Sequence, residues 1–436
     1  MSGPLSGIKV VDFSRVLAGP LCARTLQDLG AEVLKIEPPR ADVSRFAAPV
    51  NANGVSGYYA QQNAGKRNLS INLNTPEAKE IALQLCDAAD ILVENFRPGT
   101  LDAFGLDYAT LAARNPRLIY VSISGYGQGG PWRGRMAYAP TVQAEAGFTH
   151  HSARHFGDNL KAPQTDALSH ADVYAGLQAS IGVLAALHQR NETGEGQHID
   201  VAMAATIMSI NEHAHVDLND LDLEDEPAIL GATGGSFFTG PDGETFISAL
   251  SLIGTITFRF FMAAMRRADL AKDPRFATAG ARRVNLAALR DIVQAWVWSF
   301  PDMAALDAQL DEAKIAIGEV RSMADIAESE WAEYWQATHE VSNRNGGKFK
   351  LPGRPWKFSA GELPLPAEPA LQGEHNIDVL TGLGYDEAAI AELAESGVLV
   401  GNFASMMIAS VMGQVSGTAP QSAQDDENSE QEQPDA

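Results

Sequence analysis

The sequence predicts an α/β protein built on a doubly wound parallel sheet, with a second domain following the first. Three observations lead there. Short β-branched runs alternate with segments of helical spacing, the chain opens on a strand, helix and strand in direct succession, and 436 residues exceed what one ordinary core holds.

The opening "GIKVVDFS" is a run of buried-strand type, and "AGPLCARTLQDLG" after it has helical spacing closed by Gly30. "AEVLKIEP" reads as a second strand, so the three form a βαβ unit whose crossover is right-handed. The alternation continues through "RNLSINLN", "TPEAKEIALQLCDAA", "DILVENF" and "RLIYVSISGYG". Leu168 to Arg190 reads as one long helix, and "TGEGQHIDVAM" turns at its glycines into another strand. Between about 215 and 325 the character changes: "GGSFFTGPDGETFISAL" reads as a hairpin around Asp242 and Gly243, followed by helices rich in Ala and Arg. The Pro- and Gly-rich "GGKFKLPGRPWKFSAGELPLP" is expected to be a surface excursion or a return to the first domain. The expected organisation is therefore residues 1–214 as the first part of the large domain, 215–325 as the small one, 326–400 as linker and return, and 401–436 as a C-terminal extension. In that extension Val398 to Met412 is too short for a bilayer span of about 20 residues and reads as a packed helix, docking on the dimer or a partner. "SGTAPQSAQDDENSEQEQPDA" has the composition of a disordered tail.

A hydrophobic fraction of 45% and a charged fraction of 20% are those of a globular chain. The net charge of -23 repels phosphate backbones and anionic bilayers, which argues against nucleic acid or membrane as the main partner. Cys22 and Cys86 are too few for a disulfide framework and lack zinc-ligand spacing, so no metal is expected. With no basic region and apolar stretch at the start, a cytoplasmic location is expected.

Candidate site residues gather at the ends of the expected strands. Glu37 stands where a dinucleotide-binding fold places its ribose acid, but "SRVLAGPLCA" supplies Gly19 alone, whereas the pyrophosphate turn needs three glycines. "SGYGQGGP" reads both as a turn and as a place where a ligand approaches the main chain. "ENFRPGTL" offers an amide, a flat ring and a guanidinium in Asn95, Phe96 and Arg97, while Arg40, Lys66 and Arg67 add cations near by in topology. His150, His151 and His155 have no supporting ligand spacing and read as an exposed loop.

Asp172 is the sharpest feature. It stands before Val173 to Leu187, a run with no formal charge. An acid at a helix start interacts favourably with the dipole, by about 0.3 to 1 kcal/mol, yet Asp166 and Ser169 are already available as caps. Its helical neighbours Ala175, Gly176, Ala179 and Ser180 are small, leaving room for another body to come close. A carboxylate beside free space on a rigid element is built like a reactive group.

These motifs together resemble the class III CoA-transferases, the family of carnitine, formyl and bile-acid CoA-transferases that also contains the α-methylacyl-CoA racemases. The resemblance runs from "LSGIKVVDFSRVLAGPLCARTLQDLGAEVLKIEPP" through "NAGKRNLSINL", "LVENFRPGTLDAFGLDYATL" and "YVSISGYGQGGP" to "ADVYAGLQASIGVLAALHQRNETGEGQHIDVAM". It implies a Rossmann-like large domain, a smaller α+β domain and a homodimer of two chains threaded as interlocked rings. It implies Asp172 as the catalytic carboxylate, attacking an acyl-CoA thioester. It implies Leu17, Ala18, Arg40, Leu73, Asn95, Phe96, Arg97 and Tyr138 as contacts to coenzyme A, which enters as a substrate with no permanently bound cofactor, beside a small carboxylic acid acceptor.

The match departs from the family in three places. Ala103 and Met136 stand where relatives carry an arginine and a lysine, which would displace phosphate contacts, Arg135 being a substitute, and Ala139 replaces an acid found in many transferases. Racemases carry a "GHD" segment that supplies a histidine for proton transfer. Here "GRMAYAPTVQAEAG" has Tyr138 and Ala139 at that place, which favours transferase over racemase. The presence of Asp172 sets a non-catalytic CoA-binding protein below both.

Overall fold

Six strands pair in parallel throughout: β1 (Lys9–Asp12), β2 (Glu32–Glu37), β3 (Arg67–Ser70), β4 (Ile91–Glu94), β5 (Ile119–Ser124) and β6 (His198–Ala202). Their order across the sheet is β3-β2-β1-β4-β5-β6, the doubly wound order of a Rossmann-like fold. Side chains alternate between two apolar layers because successive strand residues point to opposite faces. Val10, Val33, Ile91, Val93, Ile119, Val121 and Ile123 enter one layer, whereas Val11, Ile36, Leu69, Leu92 and Tyr120 enter the other.

The first layer is closed by α1 (Ala18–Asp28) and by a later helix described below; the second is closed by α3 (Pro76–Asp87) and α4 (Tyr108–Arg114), α2 being the short Gly57–Asn63. Between β5 and β6 the chain forms α5 (Ala139–Glu145), α6 (Phe148–Phe156) and the 24-residue α7 (His170–Thr193), and α8 (Met203–Ile210) follows β6 directly. Helix α6 corrects the expected histidine loop. Phe148, at its start, packs on the first core layer and against His170, with a centroid separation of 4.9 Å, which anchors the segment as a helix.

In this computed structural model residues 3–51, 55–156, 162–164, 166–220, 236–363, 365, 367–401 and 403–408 are described. The chain divides into two compact units, Met1–Asn211 with Gln336–Ala436, and Glu212–Trp335. The second unit carries a three-stranded antiparallel sheet of Ser236–Thr239, Phe246–Ala249 and Ile317–Glu319. Asp242 organises the first turn, accepting from the Glu244 and Thr245 N–H groups at 3.0 and 2.9 Å. Phe238, Phe258, Phe261, Leu289 and Val293 form its core.

In the first unit the expected excursion contains a hairpin, Thr338–Ser342 with Lys348–Pro352, because Val341 and Leu351 bury against Ala60 and Ala64. Helices Asn376–Gly382 and Glu387–Glu395 then return to the second core layer through Val379, Leu380, Ile390 and Leu393. Of the expected C-terminal helix, residues 403–408 are helical, with Ala404 and Ile408 buried. The acidic tail lies outside the described residues, as does the beginning of "GATGGSFFTG". Among the described residues no helix is long and apolar enough to cross a membrane.

Candidate active site

The carboxyl ends of β1, β4, β5 and β6 release Arg15 to Ala18, Asn95 to Pro98, Ser124 to Tyr126, and Met203, and all of these line one cavity of about 390 Å³. Strand order reverses between β1 and β4, and that is where open α/β sheets bind ligands. A larger cavity, about 610 Å³, lies by Lys9, Glu32 and Arg67 at the opposite, amino ends of the strands.

Asp172 enters the first cavity from the first turn of α7. Burial pushes its carboxyl up from 3.8 to about 6, against a hydrogen bond from the Ala18 backbone that favours the charged form. Helix α1 has no capping side chain and no acid in its own first turn, so the positive end of its dipole faces Asp172. The two helices meet this closely because of Gly176: a Cβ there would lie 2.5 Å from the Ala18 carbonyl oxygen. Gly19 is equally constrained, its would-be Cβ falling 2.2 Å from that of Ser14.

The expected caps of α7 do not act as caps. Ser169 occupies the N-cap without a side-chain hydrogen bond, and Asp166 is engaged by the Leu168 N–H at 2.9 Å and His170 at 3.2 Å. Gln143 of α5 instead accepts from the Ala171 N–H at 3.3 Å. Asp172 is thereby free of capping duty within its own helix.

Leu17, Ala18, Asn95, Phe96, Arg97 and Tyr138 line the same cavity as Asp172. Asn95 clamps the first loop, accepting from the Arg15 N–H at 2.8 Å and donating to the Arg15 carbonyl at 2.9 Å. Arg97 ties its loop to the next by donating to the Gly134 carbonyl at 2.7 Å. Leu73 lines a neighbouring cavity of about 160 Å³, with Pro38, Pro39 and Phe96. Arg40 is exposed immediately after those two prolines.

Sequence reasoning missed Arg15 and Tyr58. Arg15 lines both cavities, lies over the Phe96 ring at 5.0 Å, and leaves its Nε buried without a hydrogen-bond partner among the described residues. The rule that selected Arg97, a cation directly after a strand, also selects Arg15. Tyr58 faces the cavity from α2, and burial and the nearby Asp172 charge both raise its phenol. Its place between strands offers no local signal.

Glu37, which lacks the glycine turn of a dinucleotide site, is buried and held by Arg45 at 2.7 Å, Tyr59 at 2.8 Å and Asn68 at 2.6 Å. Other expectations are corrected. Lys66 is buried and paired with Asp12 at 2.9 Å, and Arg67 lines the larger cavity, because Lys66 immediately precedes β3 and Arg67 is its first residue, at the amino end of the strand. In the glycine loop the Gly127 and Gln128 N–H groups donate to Ser124 and Asp200 at 3.0 and 2.8 Å, so these two amides are not offered to a ligand. Arg135 does line the cavity, but it stacks on Trp132 at 4.5 Å and pairs with Glu145; Arg133 lines it too and is exposed. Met136 and Tyr138 are exposed, whereas Ala139 is buried in the first turn of α5.

Comparison with known proteins identifies the family. A formyl-CoA:oxalate CoA-transferase of Streptomyces avermitilis is 30% identical over 421 residues, covering 92% of this chain and 100% of that one. A succinyl-CoA:mesaconate CoA-transferase of Haloarcula marismortui is 32% identical over 88% of this chain and 97% of its own. The crystal structure of a CAIB/BAIF family protein from Brucella suis superposes with a TM-score of 0.73 at 30% identity, covering 88% of this chain and 100% of that one. The profile of CoA-transferase family III matches residues 5–376, and with the Rossmann-like sheet and the motifs along it, the chain belongs to that family.

Proposed function

We propose that this protein moves coenzyme A from an acyl-CoA thioester to a carboxylic acid, with Asp172 as the nucleophile. One observation carries the reading. Among the described residues lining the switch-point cavity, Asp172 is the one carboxylate, no histidine accompanies it, and arginines 15, 97, 133 and 135 surround it in a chain of net charge -23. A cationic pocket in an acidic protein suits a polyanionic nucleotide, and Phe96 offers it a stacking face.

The chemistry balances without ATP. The Asp172 carboxylate adds to the thioester carbonyl, the C–S bond breaks, and CoA leaves as thiolate from an aspartyl mixed anhydride. The thiolate attacks the aspartyl carbonyl, releasing the donor acid and leaving an aspartyl-CoA thioester. The acceptor carboxylate then opens that thioester, and the thiolate attacks the new acyl group, regenerating Asp172. Each intermediate is an activated acyl group, so one difficult exchange becomes several of similar energy. Burial leaves the carboxylate poorly hydrated and reactive, while the amino end of α1 supports its charge.

Leu17, Ala18, Asn95, Phe96, Arg97 and Tyr138 are assigned to coenzyme A around the main cavity, and Leu73 and Arg40 to its nucleotide end. The domain boundaries given above go with this reading, supported by the two compact units. So does an interlocked homodimer: Tyr174, Leu177, Ile181 and Leu184 form an exposed apolar stripe on α7 that a second copy would cover. The buried, unpaired Cys22 and Cys86 accord with a cytoplasmic setting.

The test is turnover of a panel of acyl-CoA donors with acceptor acids, run in deuterated water. A new acyl-CoA that requires the acceptor, disappears in Asp172→Ala and carries no α-deuterium supports transfer. Deuterium at the α-carbon without acceptor dependence would make the enzyme a racemase.

A further inference from the structure

The loop from β1 to α1 contains a backbone conformation its residue does not favour. Val16, β-branched, sits at φ 65°, in the left-handed region. Such a residue persists there only when its surroundings over-determine it. The determinants are visible. Both Asp42 carboxylate oxygens accept from the Val16 N–H at 3.3 Å, Asn95 clamps Arg15 on one side, and the Lys35 ammonium donates to the Ser14 carbonyl at 2.8 Å.

Asp42 and Lys35 are themselves fully buried, 3.0 Å apart. A buried ion pair is a poor source of stability, because desolvation offsets the attraction. Both members of the pair reach the loop, Lys35 through Ser14 and Asp42 through Val16, while Asp42 also caps its own short turn by accepting from the Ser44 N–H at 2.9 Å. Two residues beyond Val16 is Ala18, whose N–H supports the Asp172 carboxylate. The direction in which the chain leaves Val16 thus sets how it enters the first turn of α1, whose Ala18 carbonyl lies against Gly176 of α7.

We propose that Asp42, braced by Lys35, is a positioning residue: it holds the Val16 peptide in its left-handed conformation so that the amino end of α1 is aimed at Asp172. Neither Asp42 nor Lys35 lines the cavity, so the effect passes through the main chain. The inference rests on Asp172 being the nucleophile for its kinetic consequence, but the geometric claim is separable. Losing the Ala18 donor disfavours the charged carboxylate and raises the Asp172 titration midpoint whether or not the residue reacts.

The experiment follows that midpoint directly. Asp172 is labelled with a water-soluble carbodiimide and glycinamide across a pH series, and its peptide is quantified by mass spectrometry against exposed carboxylates in the same digest. The parent, Asp42→Asn, Val16→Pro and the double variant Asp42→Asn with Val16→Gly are compared. Asp42→Asn is expected to raise the midpoint by about one pH unit and, where transfer is measurable, to lower kcat about tenfold to a hundredfold with a smaller change in KM. Val16→Pro keeps both charged side chains of the buried pair but fixes φ near −65° and removes the N–H that Asp42 accepts from, so it should move the midpoint the same way. Glycine adopts φ 65° without strain, so the double variant should recover much of the shift; a merely structural role for Asp42 predicts no such rescue. A parent midpoint retained in Val16→Pro, or an Asp42→Asn shift untouched by glycine at 16, would overturn the proposal. If the midpoints behave as expected but no acyl transfer occurs in the parent, the positioning stands and the transferase reading fails.

Discussion

A Cβ on Gly176 would lie 2.5 Å from the carbonyl oxygen of Ala18, so the contact between α7 and the first turn of α1 exists only because position 176 carries no side chain. The same contact brings the Ala18 N–H to the Asp172 carboxylate. Gly176→Ala must therefore part the helices at the point that serves Asp172, the proposed nucleophile. Overpacking of this kind costs about 1 to 3 kcal/mol, and a displacement approaching 1 Å at a reacting group costs about a hundredfold in rate. Thermal unfolding with acyl-CoA turnover checks it: a modest loss of stability should accompany a disproportionate loss of kcat.

The reaction should depend on pH through Asp172. Its carboxyl is pushed up to about 6, and attack needs the charged form. The rate of covalent adduct formation is therefore expected to rise with pH through about 6 and level off above 7, standing about tenfold lower at pH 5. Single-turnover rates at saturating acyl-CoA read this limb.

Stability carries the opposite sign. Because burial raises this carboxyl above its ordinary 3.8, the folded chain binds the proton more tightly than the unfolded one. The associated stability is complete below about pH 3.8 and is lost as the pH rises through about 6. Asp172→Asn removes the buried charge and should be more stable than the parent at pH 7.5, by about 1 to 2 kcal/mol after discounting for partial exposure, with little difference near pH 4. Denaturation at the two pH values separates this from a general packing effect.

Arg15 links the two neighbouring cavities, stacks on Phe96 and has an Nε with no hydrogen-bond partner among the described residues. Arg15→Gln is expected to raise the KM for acyl-CoA about tenfold or more, with the loss shrinking at high salt, where the parent's own affinity falls. Arg40→Gln, at an exposed position outside the main cavity, should cost less. Acyl-CoA titrations at two ionic strengths rank the two.

Much of this arrangement was legible because it depends on local pattern. Val10 and Val11, or Ile91 and Leu92, report opposite faces of a sheet simply by adjacency, and Asp172 stands out as a lone charge before an apolar run. Legibility ended where position depends on tertiary direction. Lys66 and Arg67 look like companions of Arg97 until the structure shows that they stand at the amino end of their strand and not beyond its carboxyl end. Tyr58 reaches the cavity from a helix whose sequence carries no mark of it. The hairpin at 338–352 was hidden because Gly346 and Gly347 read as breakers, although Gly346, at φ 77°, lies in the connection between its strands.

The most direct measurement is the intact mass of the protein after brief exposure to an acyl-CoA donor and quenching in hydroxylamine, with peptide mapping of the modified site. Trapping at Asp172 as the hydroxamate, absent in Asp172→Ala and dependent on the thioester, is the expected result. Turnover of the same donor with no modification at Asp172, or with full activity in Asp172→Ala, would contradict the assignment of this carboxylate as the nucleophile.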